Sequence, residues 1–241
     1  VMSMCFGLNH AAVTLPVGYA SSILGEGVGQ ASNAALYGVC MLASLFVGPL
    51  AASSLGPKWS LVLGMVLYCA FVMIFAVASY FPENSSQAWI LAVVGSTIGG
   101  VGAGTLWTGQ GAFFSVICER LADASRRPLQ EITSELAATF ALFYLGEECF
   151  WKVLFTVLQS NGVSNLACFV FYGALAGLAT LVLATSNDAR PRNPAPQGRI
   201  CAKAMAAVKL WSDPKIWLIS GNNIAFGFSA GYVNGYVNGT W

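Results

Sequence analysis

Three ionisable side chains, Glu147, Glu148 and Lys152, crowd into one otherwise apolar stretch, and they are the first place where this sequence points to chemistry. On a helix, Glu148 and Lys152 are spaced i, i+4 with the acid nearer the N-terminus, the favourable orientation for an ion pair. That spacing marks them as a structural pair whose members offset each other's cost of burial. Glu147 points about 100° away, toward the side of Phe140, Phe143 and Trp151, and no cation of its own helix is as well placed. It is the candidate for a proton-coupling or cation-contact group, with a carboxyl satisfied by neighbouring segments as the plainer reading. The one histidine, His10, follows Asn9 in another apolar stretch, and both can contact a solute or simply serve packing. Further polar candidates are Thr105, Thr108 and Gln110 in a glycine-rich stretch, and Asn222 and Asn223 near the end.

Catalysis requires a nucleophile with its base, an acid pair or metal ligands gathered in one pocket. Nothing here couples the Glu147 cluster to a nucleophile. The seven cysteines (Cys5, Cys40, Cys69, Cys118, Cys149, Cys168, Cys201) are scattered, mostly within apolar runs and without a C-x-x-C pair, so small buried apolar side chains are expected. No enzyme, metal site or cofactor is expected. The glycines of 102–111 do not form a dinucleotide fingerprint: counting from Gly102, Trp107 stands where the last glycine belongs, and no strand precedes them.

The elements that hold these residues follow from composition. Of 241 residues 56% are hydrophobic and 9% are charged, against roughly a quarter charged in soluble domains. So few charges cannot build a water-soluble surface, and the partner of most of it is a lipid bilayer. A nucleic-acid partner lacks electrostatic support, because net charge is +1 and no dense basic run occurs. Apolar runs close to the roughly 20 residues needed to cross a hydrocarbon core fall at 1–20, 33–54, 59–81, 89–117, 135–158, 165–185 and 216–237. Backbone amides in lipid must be satisfied within their own element, so these are helices. The expectation is an all-α membrane protein of about seven spans.

Ten of the eleven Lys and Arg, Lys58 among them, lie in the connections after spans two, four and six. The connections after spans one, three and five hold only Glu26 and Glu83. The positive-inside rule therefore puts the even connections in the cytoplasm. Asn84 and Asn238 begin glycosylation sequons at ends expected to face outside. The connection 186–215 opens with Pro191, Pro194 and Pro196 as a flexible linker, and its apolar positions from Ile200 to Trp211 recur at helical spacing, as in a short interfacial helix. Val1 is not an initiator methionine and the chain opens inside an apolar run, so a piece of a longer protein is expected.

Span four is dense in glycine. At about 100° per residue, Gly95, Gly99, Gly102 and Gly109 share one face, while Gly100, Gly104 and Gly111 lie nearly opposite. Two neighbouring helices can then approach its backbone closely. Spans three and six are almost wholly apolar and suit contact with lipid, whereas the polar candidates of spans one, four, five and seven suit a cavity.

Six spans, a long cytoplasmic connection and a seventh span resemble the major facilitator superfamily. The segments Leu55-Gly56-Pro57-Lys58-Trp59-Ser60-Leu61 with Gly64, and Gly102-Ala103-Gly104-Thr105-Leu106-Trp107-Thr108-Gly109-Gln110-Gly111, are similar to those of its Unc-93-like branch, the ion channel regulatory protein group. The resemblance implies a six-helix N-terminal half over 1–185, the linker 186–215, and the first helix of a second half over 216–241. It implies transport of a small solute or ion by alternating access, or, alternatively, regulation or trafficking of another membrane protein such as a channel or receptor. It also agrees that spans one, four and seven line a central cavity. One departure stands out: Ala51, Ala52, Ser53 and Ser54 replace the charged residues usual in the superfamily's connection after span two, leaving Lys58 as the only charge there.

Overall fold

In a computed structural model of the protein, residues 1–188, 209 and 212–233 are described. Their helices, in chain order, are α1 (Met2–Leu24), α2 (Glu26–Leu45), α3 (Val47–Ser54), α4 (Pro57–Ala78), α5 (Ser86–Ser125), α6 (Leu129–Ser160), α7 (Asn165–Thr185) and α8 (Pro214–Tyr232). No strand occurs among the described residues, and the chain is an all-α membrane protein. By length and composition α4, α5 and α7 are each able to cross a membrane, and α2 and α3, bent by 48° where they meet, are so only when taken together, as a broken span or a re-entrant loop. Helices α1, α6 and α8, which occupy the other expected spans, do not meet both conditions. Apart from Lys209, the interfacial helix expected from Arg199 to Trp211 lies outside the described residues, as do Cys201 and the sequon at Asn238.

Local chemistry explains the breaks. Pro49 sits in the first turn of α3 and cannot donate an amide hydrogen bond back to Leu45, which fits the kink between α2 and α3. Gly25 (φ 94°) and Gly56 (φ 85°) take backbone conformations that L side chains resist, and Pro57 then opens α4 at the position where its missing N–H costs nothing. Ser85 and Ser164 cap α5 and α7, their hydroxyls accepting from the amides of Ala88 and Ala167.

Helix limits differ from the apolar runs in a consistent way. Helix α5 continues past Ile117 through Glu119, Arg120 and Asp123, and α6 begins six residues before Glu135. Hydropathy registers the part of a helix in lipid, while the helix itself runs on into water. Arg127, in the turn between them, pairs with Glu131 at 2.6 Å and with Glu135. Both pairs are solvent-exposed, so they contribute little stability.

Helix α5 lies between α4 and α2, and α1 is packed against α2, α4, α6 and α7. The glycines of α5 set its spacing. A Cβ at Gly95, Gly99, Gly102 or Gly109 would meet Ile74, Phe71, Leu67 or Leu61 of α4 at 2.6–2.9 Å. On the other face, Cβ atoms at Gly100 and Gly104 would meet the backbone of α2 at Leu36 and Ser44. The hydroxyls of Ser32 and Ser96 also join α2 to α5, 2.6 Å apart. Helix α6 is the most exposed of the long helices: among its residues only Ile132 and Phe155 are buried, while Leu142, Phe150 and Val153 are at least 60% exposed.

Lys58, expected only as a charge in a connection, is buried. Its Nζ donates to the carbonyl of Ala184 at 2.8 Å and to that of Ser186, at the C-terminal end of α7. A cation there satisfies carbonyls that a helix leaves unpaired and opposes the negative end of its dipole. It also sits 5.1 Å from the ring centroid of Trp59.

Candidate functional site

Two concavities flank helix α6. A cavity of about 320 Å³ is bounded by α1, α2, α4, α5 and α6, with Gly227 of α8 also lining it. Its polar groups are His10, Thr14, Tyr37, Tyr68, Tyr144 and Glu148, and Trp107 forms part of the wall. A second, more apolar pocket of about 550 Å³ lies among α1, α6 and α7 and contains Glu147.

The neighbouring residues of the ionisable cluster are thus separated. Glu148 reaches the cavity that holds His10, and Lys152 Nζ donates to its Oε1 at 2.7 Å, forming the i, i+4 pair. Glu147 turns to the other pocket, beside Phe143 and Trp151. Its Oε2 is buried without a hydrogen-bond partner among the described residues. The carboxylate lies over Gly7 of α1, where a Cβ would come within 2.8 Å of Oε2. Glycine at position 7 is what leaves room for it.

His10 is held by aromatic rings rather than by hydrogen bonds. Ring centroids of Tyr144, Trp107, Phe6 and Tyr68 stand 5.1, 5.4, 5.8 and 6.0 Å away, and its Nδ1 has no hydrogen-bond partner among the described residues. A buried imidazole nitrogen without a partner keeps an unused capacity for one hydrogen bond, at the edge of a cavity that His10 lines.

Asn9 faces elsewhere. Its Nδ2 lies within 3.3–3.4 Å of Met65 O, Ala176 O and Thr180 Oγ1, tying α1 to α4 and α7, the two helices expected to face lipid. Thr105 and Thr108 spend their hydroxyls on their own helix, donating to Val101 O and Gly104 O at 2.8 Å. Thr108 also packs against Gly48 of α3. Thr105 is fully buried and Gln110 half-buried, and neither lines the cavity. Asn222 and Asn223 fall within α8, and their side chains lie outside the described residues. No cluster of three His, Cys, Asp or Glu suited to a metal occurs among the described residues.

Residues not foreseen as site residues are Gly7, Tyr68, Trp107 and Tyr144. The aromatic ones carried a signal in Trp107 and Tyr144, which occupy the same helices as the polar candidates. Gly7 carried none, since its role depends on which helix packs over it.

The sequence model of the family described as "Ion channel regulatory protein UNC-93" matches residues 24–185, from the end of α1 to the end of α7. The chain belongs to the UNC-93 family. It is 29% identical over 157 residues to protein unc-93 homolog A of Bos taurus, a match covering 65% of this chain and 29% of that protein. The corresponding proteins of Homo sapiens and Danio rerio are 27% and 25% identical, over 65% and 61% of this chain and 29% and 27% of theirs. The matched part of the UNC-93 chain thus spans under a third of the length of these relatives. No solved structure matches it.

Proposed function

We propose that the intact protein is a membrane-embedded regulator or trafficking partner of an ion channel or receptor, and that residues 1–185 form its six-helix N-terminal half. The observation that carries this reading is the match of helices α2 to α7 to a family described as ion channel regulatory. The geometry supports it in two ways. Polar side chains that a solute pathway needs are largely committed to structure: Asn9 joins three helices, the two threonines bond their own helix, and Glu148 is neutralised by Lys152. Helix α6 meanwhile turns a broad apolar face outward, a surface on which another membrane helix can pack by van der Waals contact. In this reading the turn at Arg126 and Arg127 and the linker 186–215 face the cytoplasm.

A second reading, solute movement by alternating access, is favoured by the cavity itself, where His10, whose Nδ1 has no partner among the described residues, and the Glu148 carboxylate of another helix line one space. The intact protein reconstituted alone in liposomes, and separately co-expressed with individual channels, separates the two. Changed channel current or surface density without flux in the liposomes supports regulation. Saturable flux by the purified protein alone overturns it.

A further inference from the structure

The pocket beside Glu147 is chemically unlike the cavity beside His10. It is walled by Met4 and Leu8 of α1, Phe143 and Trp151 of α6, and Leu178 and Val182 of α7. Among the described residues no lysine, arginine or histidine lines it, and Glu147 supplies the one carboxylate there. At about 550 Å³ it is within the range of small-molecule sites, roughly 300–1,000 Å³. An ionised or hydrogen-bonding group deep in an apolar wall is costly unless it finds a partner. Glu147 Oε2 has none among the described residues, and Lys152, the nearest cation in sequence, is taken by Glu148. Gly7 keeps the carboxylate from being buried under a side chain of α1.

We infer that this pocket binds an amphiphilic amine, its ammonium on the Glu147 carboxylate and its alkyl or aryl tail between α1, α6 and α7. Charge complementarity selects this class over a neutral lipid tail, which would fill the apolar space and leave Oε2 unpaired. The rings of Phe143, Phe150 and Trp151 add faces on which a cation is attracted. Entry from the lipid phase suits a ligand that partitions there. The site does not depend on whether the protein regulates a channel or moves a solute.

The test uses the intact protein in lipid nanodiscs, with dodecylamine as probe, dodecanol as its neutral counterpart and protein-free nanodiscs as background. The unaltered protein should bind the amine at least about tenfold more tightly than the alcohol, as a charge-assisted hydrogen bond predicts. Glu147→Gln should abolish that preference while leaving alcohol binding in place. Gly146→Leu should block both ligands, because position 146 lines the pocket and has open space around it, so the added side chain fills the site without a clash. Equal binding of amine and alcohol to the unaltered protein overturns the proposal. So does full amine binding in either Glu147→Gln or Gly146→Leu. Should Glu147→Gln fail to fold, the amine-to-alcohol ratio and the Gly146→Leu variant still decide.

Discussion

Replacing Gly104 by alanine adds one methyl group where the structure has no room. The new Cβ would stand 2.5 Å from the backbone nitrogen of Ser44 and 2.7 Å from the Cβ of Ala43, both on α2. Ordinary contact begins near 3.4 Å, so α2 and α5 must part locally by about 0.9 Å. Backbone atoms on both sides leave no flexible side chain to absorb the shift. A gap of that size forfeits roughly a quarter to a half of each contact's dispersion energy along the interface, and such overpacking costs about 1–3 kcal/mol. Alanine returns about 0.5–1 kcal/mol of helix propensity, leaving a net loss on the order of 1–2 kcal/mol. Gly111 is the internal control. It lies on the same helix with nothing within 4 Å of its Cβ, so Gly111→Ala should be neutral or stabilising by up to about 1 kcal/mol. Thermal unfolding of both variants of the intact protein in detergent, followed by tryptophan fluorescence, compares them directly. If Gly104→Ala unfolds at the unaltered temperature, or Gly111→Ala falls with it, close backbone packing does not set the α2/α5 spacing.

Lys58→Met should destabilise by about 1–3 kcal/mol, since it strips two carbonyls at the end of α7 of a charged donor while easing the burial of a cation; unchanged thermal stability would show that the cap is dispensable. Glu148→Gln should lower folded yield by leaving Lys152 without its carboxylate, and adding Lys152→Met should restore part of it; a double variant whose loss equals the sum of both singles would deny the pair any coupling. Cysteines placed at Glu83 and at Arg127, in a background freed of the seven native cysteines, should react with impermeant reagents from opposite sides of the membrane; labelling from one side refutes the expected orientation.

Much of the helical arrangement was legible because lipid narrows the choices. A long uncharged run such as 165–185 has no low-energy alternative to a helix, and α7 has those limits. The two glycine faces of span four were legible for a similar reason, because sequence spacing converts directly to angle on a helix and only small residues let backbones meet. The same conversion separated Glu147 from Glu148. Asn9 and His10 are also about 100° apart and therefore face different neighbours. What each faces could not be read, because that depends on contacts between residues far apart in sequence. Asn9 meets Ala176 and Glu147 meets Gly7 only after α7 and α6 have packed on α1. Lys58 is of this kind too: its partners at Ala184 and Ser186 lie more than a hundred residues away.

Helix α1 shows why hydropathy falls short where this site is built. Gly7, Asn9 and His10 lie within one turn of it, and each meets a different environment: the Glu147 carboxylate, the backbones of α4 and α7, and the aromatic cavity. A helix that gives a polar or small residue to several neighbours at once has no apolar stripe to spare for lipid, and α1 is buried along most of its length. Its polar residues therefore oppose membrane insertion less than they would in isolation, since they are buried against its neighbours α2, α4, α6 and α7. A helix that contributes to both concavities while packing on four neighbours couples the two roles, so a substitution in α1 acts on the site and on the packing together.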